Sequence, residues 1–289
     1  MRERIDRGVG SVEESFGTTG NLEDDVNLVF FETACNFYFW GEDEEIKWKV
    51  ATGDKQIGGW YGLVACFSNA IERGAPVHDA GWMAKLTPAK ARELFTGSGL
   101  QIPLLEQRVN NIVEMANFLL RRYDGRATNL VKACDYSAPR IALEVTRELS
   151  SFRDGAIYKN RWVWILKRAQ ILPSDLSQLT SKYPDFVVVD CDKLTAFADY
   201  QIPRVLRHYG ILRYSDDLAN AVDSLAILPV GSSEEVEIRA ACIVACERIK
   251  QLMSGVSSSD VDVGIWLLSQ DMRHDPSVRP HHRTPGYFY

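Results

Sequence analysis

The chain has 289 residues, of which 46% are hydrophobic and 25% are charged, enough for one large domain or two small ones. A formal net charge of −6, without a dense run of Lys and Arg, argues against a duplex-binding protein, whose affinity depends on phosphate contacts. No apolar run approaches the roughly 20 residues of a membrane span, and the polar N-terminus lacks a signal-peptide core. The sequence therefore favours a soluble, cytoplasmic protein that acts on a small ligand.

Six cysteines are scattered through apolar or helical stretches and form no C-x-x-C pair. Cys242 and Cys246 lie one helical turn apart, a spacing more typical of core neighbours than of metal ligands. We therefore expect reduced, buried thiols, no zinc or iron–sulfur site, and no metal or redox cofactor.

The first half of the chain combines a polar start, an aromatic segment, a hairpin and several helices. Residues 1–25 are polar, and "NLVFFETACNFYFW" then has the aromatic density of a protein core. "EIKWKVATGDKQIGGWYGL" alternates around the turn signal at residues 52–55, which predicts a β-hairpin. Helical periodicity follows over residues 61–74, 86–95, 103–123 and 137–152.

The second half predicts another short hairpin around Lys159 and Asn160, which runs into a helix carrying Lys167. "FVVVD" is either a strand or a buried extended piece, and the tail from residue 279 has no periodicity. Further helices are predicted just after Asp199 and over residues 215–224, 232–253 and 257–271.

These elements add up to a mainly α protein with at least eight helices, two small β-hairpins and no internal repeat. No linker is rich enough in Pro, Gly or Ser to mark a domain boundary. We predict a polar, mobile N-terminal segment over residues 1–25 and a single helical catalytic domain over residues 26–289. An arrangement of two lobes with the ligand between them stays open within that domain.

Asp199 stands at or just before the helix predicted by the apolar spacing of Ile202, Val205 and Leu206. Pro203 suits the first turn of that helix, where its missing N–H does no harm. One interpretation makes Asp199 an N-cap, which stabilises a helix by about 1 kcal/mol. The other makes it a carboxylate at the floor of a pocket, facing positive charge that develops in a reaction.

Several segments of the chain, in order, resemble the queuosine salvage proteins, a family of queuosine 5′-phosphate N-glycosidase/hydrolases. The resemblance covers nearly the whole chain except its start. The segments that carry it are "NFYFW" (36–40), "GGWYGLVACFSNAIERG" (58–74), "PLLEQR" (103–108), "KRAQIL" (167–172), "FADYQIPRVLRHYGILRYSDDL" (197–218), "EVEIR" (235–239) and the terminal pattern from Pro280 to Tyr289.

The resemblance implies a cytoplasmic hydrolase that cleaves the N-glycosidic bond of queuosine 5′-monophosphate and releases queuine and ribose 5-phosphate. It implies a fold similar to helical DNA glycosylases, Asp199 as the catalytic carboxylate and Lys167 as a second functional residue. A lysine on a helix usually lies on a solvated face, but the apolar residues around Lys167 favour a buried position. The expected partner is the nucleotide itself, with no membrane and no stable nucleic-acid partner.

The chemistry of the substrate suggests the other candidate residues. A flat base with a cationic amine needs aromatic faces and acids, and a 5′-phosphate needs donors such as Lys167. Glu235 is better explained as a helix-start acid, and Arg239 as an ion-pair partner of Glu235 or of one of the acids Asp216, Asp217 and Glu237. The substrate-binding candidates are Asn36, Phe37, Phe39, Trp40, Trp60, Arg204, Asp216, Asp217, Glu237, His282, Arg283 and Tyr289.

Two other functions remain open at this point. A DNA glycosylase would share the fold and the carboxylate, but it predicts a basic groove and a helix-hairpin-helix glycine turn before the aspartate. The net charge is acidic, and "PDFVVVDCDKLTAF" has no Gly-x-Gly turn. A non-catalytic nucleotide- or tRNA-binding module would tolerate Asp199→Asn with little loss of function.

Overall fold

The computed structural model describes residues 16–41, 47–97 and 99–289. Within these residues it is mainly helical, with two separate antiparallel hairpins, as predicted. The four strands are β1 (Lys49–Thr52), β2 (Lys55–Gly58), β3 (Gly155–Tyr158) and β4 (Arg161–Trp164). The twelve helices are α1 (Leu22–Ala34), α2 (Gly59–Glu72), α3 (Ala80–Met83), α4 (Pro88–Leu94), α5 (Leu105–Tyr123), α6 (Ala127–Ala133), α7 (Ala138–Glu148), α8 (Lys167–Gln178), α9 (Gln201–His208), α10 (Asp216–Asp223), α11 (Ser233–Gln251) and α12 (Ser258–Asp271).

Helix α1 was not predicted as a helix. Its start is set by Asn21, whose side chain accepts hydrogen bonds from the N–H groups of Glu23 and Asp24, and acids fill the first turn. The segment predicted to be polar and mobile therefore includes this first turn, while residues 1–15 lie outside the described residues. The aromatic stretch is core as predicted, since Phe30 and Phe31 are fully buried.

Both predicted hairpins are confirmed, with their turns at the predicted residues. In the first, Thr52 pairs with Lys55 across the predicted turn. In the second, Lys159 and Asn160 both have positive φ, which a two-residue type I′ turn requires at both positions. "FVVVD" is an extended piece with one isolated bridge, from Val189 to Ser137, and Val189 is partly exposed rather than buried.

Two large apolar clusters organise the described residues. The larger is built by α1 to α8, and the smaller by α9, α11 and α12. Just before Asp199 the chain runs along the boundary between them, because Phe197 belongs to the larger cluster and Ala196 and Ala198 to the smaller. This path places Asp199 at the junction of the two clusters, while the domain boundaries given above stay a prediction.

Two buried arginines hold the segment that follows α1. Arg108 donates to the main-chain carbonyls of Cys35, Phe37 and Tyr38, and Arg168 donates to that of Ala34 at 2.7 Å. Positive charge at a helix C-terminus is favourable because the last carbonyls lack partners within the helix. These bonds fix the main chain on both sides of Asn36.

All six cysteines are free thiols, as predicted. Among the described residues, none of the helices combines the length and the apolar character that crossing a membrane requires.

Candidate active site

Asp199 lies two residues before the first residue of α9. Its Oδ1 accepts hydrogen bonds from the backbone N–H groups of Gln201 at 2.7 Å and Ile202 at 2.9 Å. The side chain is 9% exposed and lines two adjoining pockets. The helix-capping interpretation and the pocket interpretation are therefore compatible, because one carboxylate oxygen is enough to accept both backbone bonds.

Lys167 is the first residue of α8 and reaches the same pockets. The preceding residue, Leu166, has φ 57° and provides no side-chain cap, and the Lys167 N–H instead donates to Asp154 Oδ2 at 2.9 Å. Lys167 is 5% exposed, and its ammonium group makes no hydrogen bond to any described residue. A buried ammonium without a fixed partner is available to a ligand anion.

The two pockets share a lining of six residues and differ in the rest. The first, which we call the acidic pocket, contains about 700 Å³ of space, including space open to solvent, and adds two acids and several apolar side chains. The second, the glycine pocket, contains about 500 Å³ on the same basis and adds two glycines, Arg273 and other polar side chains. The shared residues are Asn36, Trp60, Tyr61, Lys167, Asp199 and Trp266.

The acids of the acidic pocket are Asp175 and Asp262. Burial raises the pKa of each carboxyl to about 8, and for Asp262 the negative charge of Asp199 adds to this effect. Asp262 Oδ1 also accepts a hydrogen bond from the Phe197 N–H at 2.8 Å. At neutral pH these two carboxyl groups are mostly protonated, so each can donate a hydrogen bond as well as accept one.

The charges of Asp199 and Lys167 depend on each other. Burial raises the pKa of the Asp199 carboxyl, while the Lys167 ammonium and the N–H groups of Ile202 and Gln201 counteract the rise. Burial lowers the pKa of Lys167 to about 8, while Asp199 favours its charged form. Paired in this way, each group favours the ionised form of the other.

The glycine pocket includes the start of α2. Gly58, the residue before α2, forms no side-chain cap, and Gly59 has φ +63°, a conformation that glycine adopts without strain. No atom lies within 4 Å of the position that a Cβ of Gly59 would occupy. The helix start is therefore bare main chain, the kind of surface that binds anions in many proteins.

Four of the twelve predicted substrate-binding residues line these pockets. Asn36 and Trp60 line both, and Phe39 and Tyr289 line the glycine pocket. The terminal segment folds back onto the protein, with the ring of Tyr289 buried and its carbonyl accepting from the Tyr38 N–H at 2.7 Å.

The predicted acids lie elsewhere. Asp216 and Asp217 occupy the exposed first turn of α10, behind the Ser215 cap. Glu237 is exposed on α11 and accepts a hydrogen bond from the Tyr158 hydroxyl. The positions of Asp216 and Asp217 fit the favourable placement of negative charge at a helix start, while Glu237 lies beyond the first turn of its helix. We do not carry these three acids into the proposed site.

The remaining predicted residues lie outside both pockets, in packing or structural contacts. The centroid of the Phe37 ring lies 4.4 Å from Arg108 Cζ and 5.1 Å from Arg168 Cζ. Trp40 is buried against His281, with ring centroids 5.6 Å apart. Aromatic density in the sequence could not separate these core rings from Phe39 and Trp60.

The three basic candidates also lie outside both pockets. Arg204 Nε donates to the Arg279 carbonyl at 2.9 Å, and the Arg283 guanidinium lies 5.6 Å from the Trp40 ring. His282 Nε2 lies 3.2 Å from the Tyr289 hydroxyl, and burial lowers the pKa of this imidazole to about 3. His282 is therefore neutral and unsuited to binding phosphate as a cation.

Two helices contribute lining residues that the sequence analysis missed. From α8 come Ile171, Ser174, Asp175 and Gln178, and from α12 and the residue pair after it come Asp262, Val263, Trp266, Gln270 and Arg273. In each helix these residues recur at steps of three, four or seven, so they share one face. The helical spacing of these residues can be read from the sequence, but it does not show which face of the helix lines a cavity.

Known proteins resemble this chain over most of its length. A family model described as "Queuosine salvage protein" matches residues 17–289. A relative from Sphaerobacter thermophilus, named "Queuosine 5′-phosphate N-glycosylase/hydrolase", is 36% identical over 268 residues, 91% of this chain and 81% of the relative. Relatives with the same name from Bos taurus and Mus musculus are 30% and 29% identical and cover 93% and 90% of this chain, or 83% and 81% of the relatives. This chain belongs to the queuosine salvage protein family.

Proposed function

We propose that this protein hydrolyses the N-glycosidic bond of queuosine 5′-monophosphate, releasing queuine and ribose 5-phosphate. In the reaction the bond from C1′ to the base breaks, water adds its oxygen to C1′, and a proton goes to the base. The observation that carries the proposal is the burial of Asp199 and Lys167 in one cavity with aromatic walls, in a chain whose relatives are named for this activity.

Asp199 is the group that would stabilise the reacting sugar. Cleavage builds positive charge on the ribose, and a fixed carboxylate in a site that excludes water stabilises that charge most effectively. The two backbone bonds to Oδ1 prevent rotation of the carboxylate, so that Oδ2 can face the sugar or orient the attacking water. No rearrangement of Asp199 is needed as the charge develops.

The acidic pocket suits the base. Phe16, Phe197 and the shared Trp60 and Trp266 give it flat apolar walls that can stack on a heterocycle. Asp175 and Asp262 are the acids that we now propose for base recognition, in place of the exposed acids predicted from the sequence. Protonated, they can donate to acceptor atoms of the base, and ionised, they can pair with its amine.

The glycine pocket suits the 5′-phosphate. The start of α2 offers main-chain N–H groups and the positive end of a helix of fourteen residues. Arg273 from the end of α12 and Lys167 add positive charge at the same pocket. A nucleotide placed with its base in the acidic pocket and its phosphate in the glycine pocket has its ribose beside the shared residues Asp199 and Lys167.

The experiment that tests the function is an incubation of the purified protein with queuosine 5′-monophosphate and, separately, with the nucleoside queuosine, each with a metal chelator. Chromatography measures free queuine. We expect release from the nucleotide at a much higher kcat/KM than from the nucleoside. Release of queuine from neither substrate would refute the proposal. Equal release from both would mean that the glycine pocket does not bind the 5′-phosphate.

We also propose that the protein works in the cytoplasm, where its six free thiols stay reduced, and that it acts on the free nucleotide without a stable nucleic-acid partner. Fractionation of cells followed by detection of the protein and of its base-releasing activity tests the location. Activity recovered in a membrane or secreted fraction would contradict it.

A further inference from the structure

Arg239 is a buried residue of α11 whose five N–H donors all have acceptors. Nη1 and Nη2 donate to the two carboxylate oxygens of Asp154 at 2.8 Å and 2.6 Å, a bidentate ion pair. Nη1 also donates to Glu235 at 3.2 Å, and Nη2 to the Phe288 carbonyl at 3.4 Å. The fifth donor, Nε, reaches the Ala198 carbonyl at 3.0 Å.

The contact with Ala198 connects Arg239 to the proposed catalytic carboxylate, because Ala198 directly precedes Asp199 in the chain. The main chain is thus fixed before Asp199 by Arg239 and after it by the two hydrogen bonds to Asp199 Oδ1. The position of the carboxylate in the cavity depends on both restraints.

The contact with Asp154 connects Arg239 to Lys167. Asp154 Oδ2 accepts from the Lys167 N–H at 2.9 Å, and the Asp154 carbonyl accepts from Ile165 and Leu166 at 3.0 Å and 3.1 Å. Leu166 cannot cap α8 with its side chain, so Asp154 takes the place of the missing cap. Arg239 in turn uses both oxygens of that carboxylate.

Tyr289 covers the other side of the guanidinium. Its ring centroid lies 4.6 Å from Arg239 Cζ, and its hydroxyl donates to Glu235, the second acid that Arg239 contacts. Burial opposes the charge of Arg239, but Asp154 and the other acidic partners raise the pKa of the guanidinium above its ordinary value. The group is therefore a permanent cation with fixed geometry.

We propose that Arg239 is a positioning residue, which sets the placement of Asp199 relative to Lys167 by holding the Ala198 carbonyl and the Asp154 carboxylate at once. This inference rests on the proposed function, in which Asp199 and Lys167 act on the same ribose. A rigid, planar guanidinium can donate hydrogen bonds to partners on several of its edges at once, whereas the single ammonium group of a lysine cannot reach the same separated partners.

The first test replaces Arg239 by Lys, which keeps the charge but cannot hold both partners. We expect kcat for queuosine 5′-monophosphate to fall about 100-fold, the effect of misplacing reacting groups by about 1 Å, with KM changed by less than about threefold. The matched control is Arg207→Lys, since Arg207 also forms a bidentate pair, with Asp223 at 2.7 Å and 3.0 Å, outside both pockets. That variant should keep the unaltered kcat.

The second test is a kinetic cycle. Single-turnover rates of Arg239→Lys, Asp199→Asn and the double variant show whether the two residues act together. If Arg239 acts through Asp199, adding Arg239→Lys to Asp199→Asn should lower the single-turnover rate by less than about tenfold, and not by about 100-fold. Independent effects that multiply would overturn the proposal, as would a folded Arg239→Lys protein with the kcat of the Arg207→Lys control.

If Arg239→Lys does not unfold cooperatively on heating, the variant is not properly folded and cannot test the positioning role. Asp154→Asn is then the test. This isosteric change removes a negative charge that raises the pKa of Lys167, so the loss of kcat/KM at alkaline pH should begin at lower pH. The other charges that act on Lys167 are Asp199, Arg168 and Arg239, and Asp175 and Asp262 line the same pocket; all are unchanged. An unmoved pH profile with unchanged kcat would overturn the proposal, whereas an unaltered protein that releases no queuine would instead refute the proposed function.

Discussion

The starts of α9 and α10 carry the same side chain in two different settings. Asp199 lies two residues before α9 and accepts two backbone N–H bonds, and Asp216 is the first residue of α10, behind the Ser215 cap. Both positions stabilise a helix with negative charge. Asp199 is buried in a cavity that Lys167 also lines, and burial raises the pKa of its carboxyl, whereas Asp216 is exposed and lies outside both pockets. A helix start thus explains why a carboxylate is tolerated, while burial beside a cation makes it chemically useful.

The comparison can be tested directly by making the same substitution at both helix starts. We expect Asp199→Asn to lower kcat for queuosine 5′-monophosphate by about 1,000-fold or more, because the lost charge stabilises the transition state. Substrate binding, measured by calorimetry, should persist. Asp216→Asn should leave kcat within about twofold, as for surface changes away from the site.

Comparable losses in the two variants would show that helix capping, and not the buried charge, explains the effect. Full activity in Asp199→Asn would instead favour a binding module over a hydrolase.

A second prediction concerns the cation of the pair. Lys167→Met keeps the length of the side chain and removes its charge, so we expect kcat/KM to fall about 100-fold through loss of charge-assisted contacts. In the unaltered protein, kcat/KM should decline as pH rises through about 8, where Lys167 of the free enzyme loses its proton. Lys132→Met, on the exposed side of α6, is the control and should behave like the unaltered chain. An alkaline limb that persists in a partly active Lys167→Met protein would assign the titration to another group.

A third prediction separates the two pockets. Arg273→Gln should lower kcat/KM about tenfold for the nucleotide, the value of one charge-assisted contact, and leave the nucleoside unaffected. Arg92→Gln, an exposed arginine on α4, should change neither. Equal losses of kcat/KM for the nucleotide and the nucleoside would mean that Arg273 contacts another part of the ligand and not the phosphate.

The smallest effect concerns stability. The pKa of Asp262 is about 8 in the folded protein and about 3.9 unfolded, so between these values the folded state binds the extra proton and stability falls as pH rises. Asp262→Asn removes this dependence and keeps the acceptor for the Phe197 N–H. The melting temperature of the variant relative to the unaltered protein should therefore rise by a few °C between pH 5 and pH 7.5. Lys167, with a pKa of about 8, begins to lose its proton only near the top of this range, and it is present in both proteins that are compared.

Asp216→Asn is the control for this measurement, since its exposed carboxyl should show no such change relative to the unaltered protein. A melting difference for Asp262→Asn that stays constant with pH would mean that Asp262 is ionised in the folded state.

The sequence was informative where local rules decide. The turn at Lys159 and Asn160 and the approximate start of α9 follow from turn chemistry and helix periodicity, and both are found as predicted. The start of α1 was missed because the aromatic density of the segment hid the cap at Asn21.

The site itself was only partly readable. Asp199 and Lys167 came from family resemblance and do line one cavity, while the acids at residues 216, 217 and 237 were chosen for their charge and turned out to be exposed. Asp175 and Asp262 come together from α8 and α12 only through tertiary packing. No local pattern marks a helical acid as buried, because burial depends on elements far away in the chain.

The arginine pair around Phe37 has a consequence for tolerance to salt. Among the described residues, every hydrogen bond from the side chains of Arg108 and Arg168 ends on a main-chain carbonyl, and both guanidinium groups contact the Phe37 ring. Dissolved ions screen exposed charge pairs but hardly reach such buried, neutral acceptors. The main chain around Asn36 should therefore keep its conformation at salt concentrations that weaken the ion pairs on the outer surface.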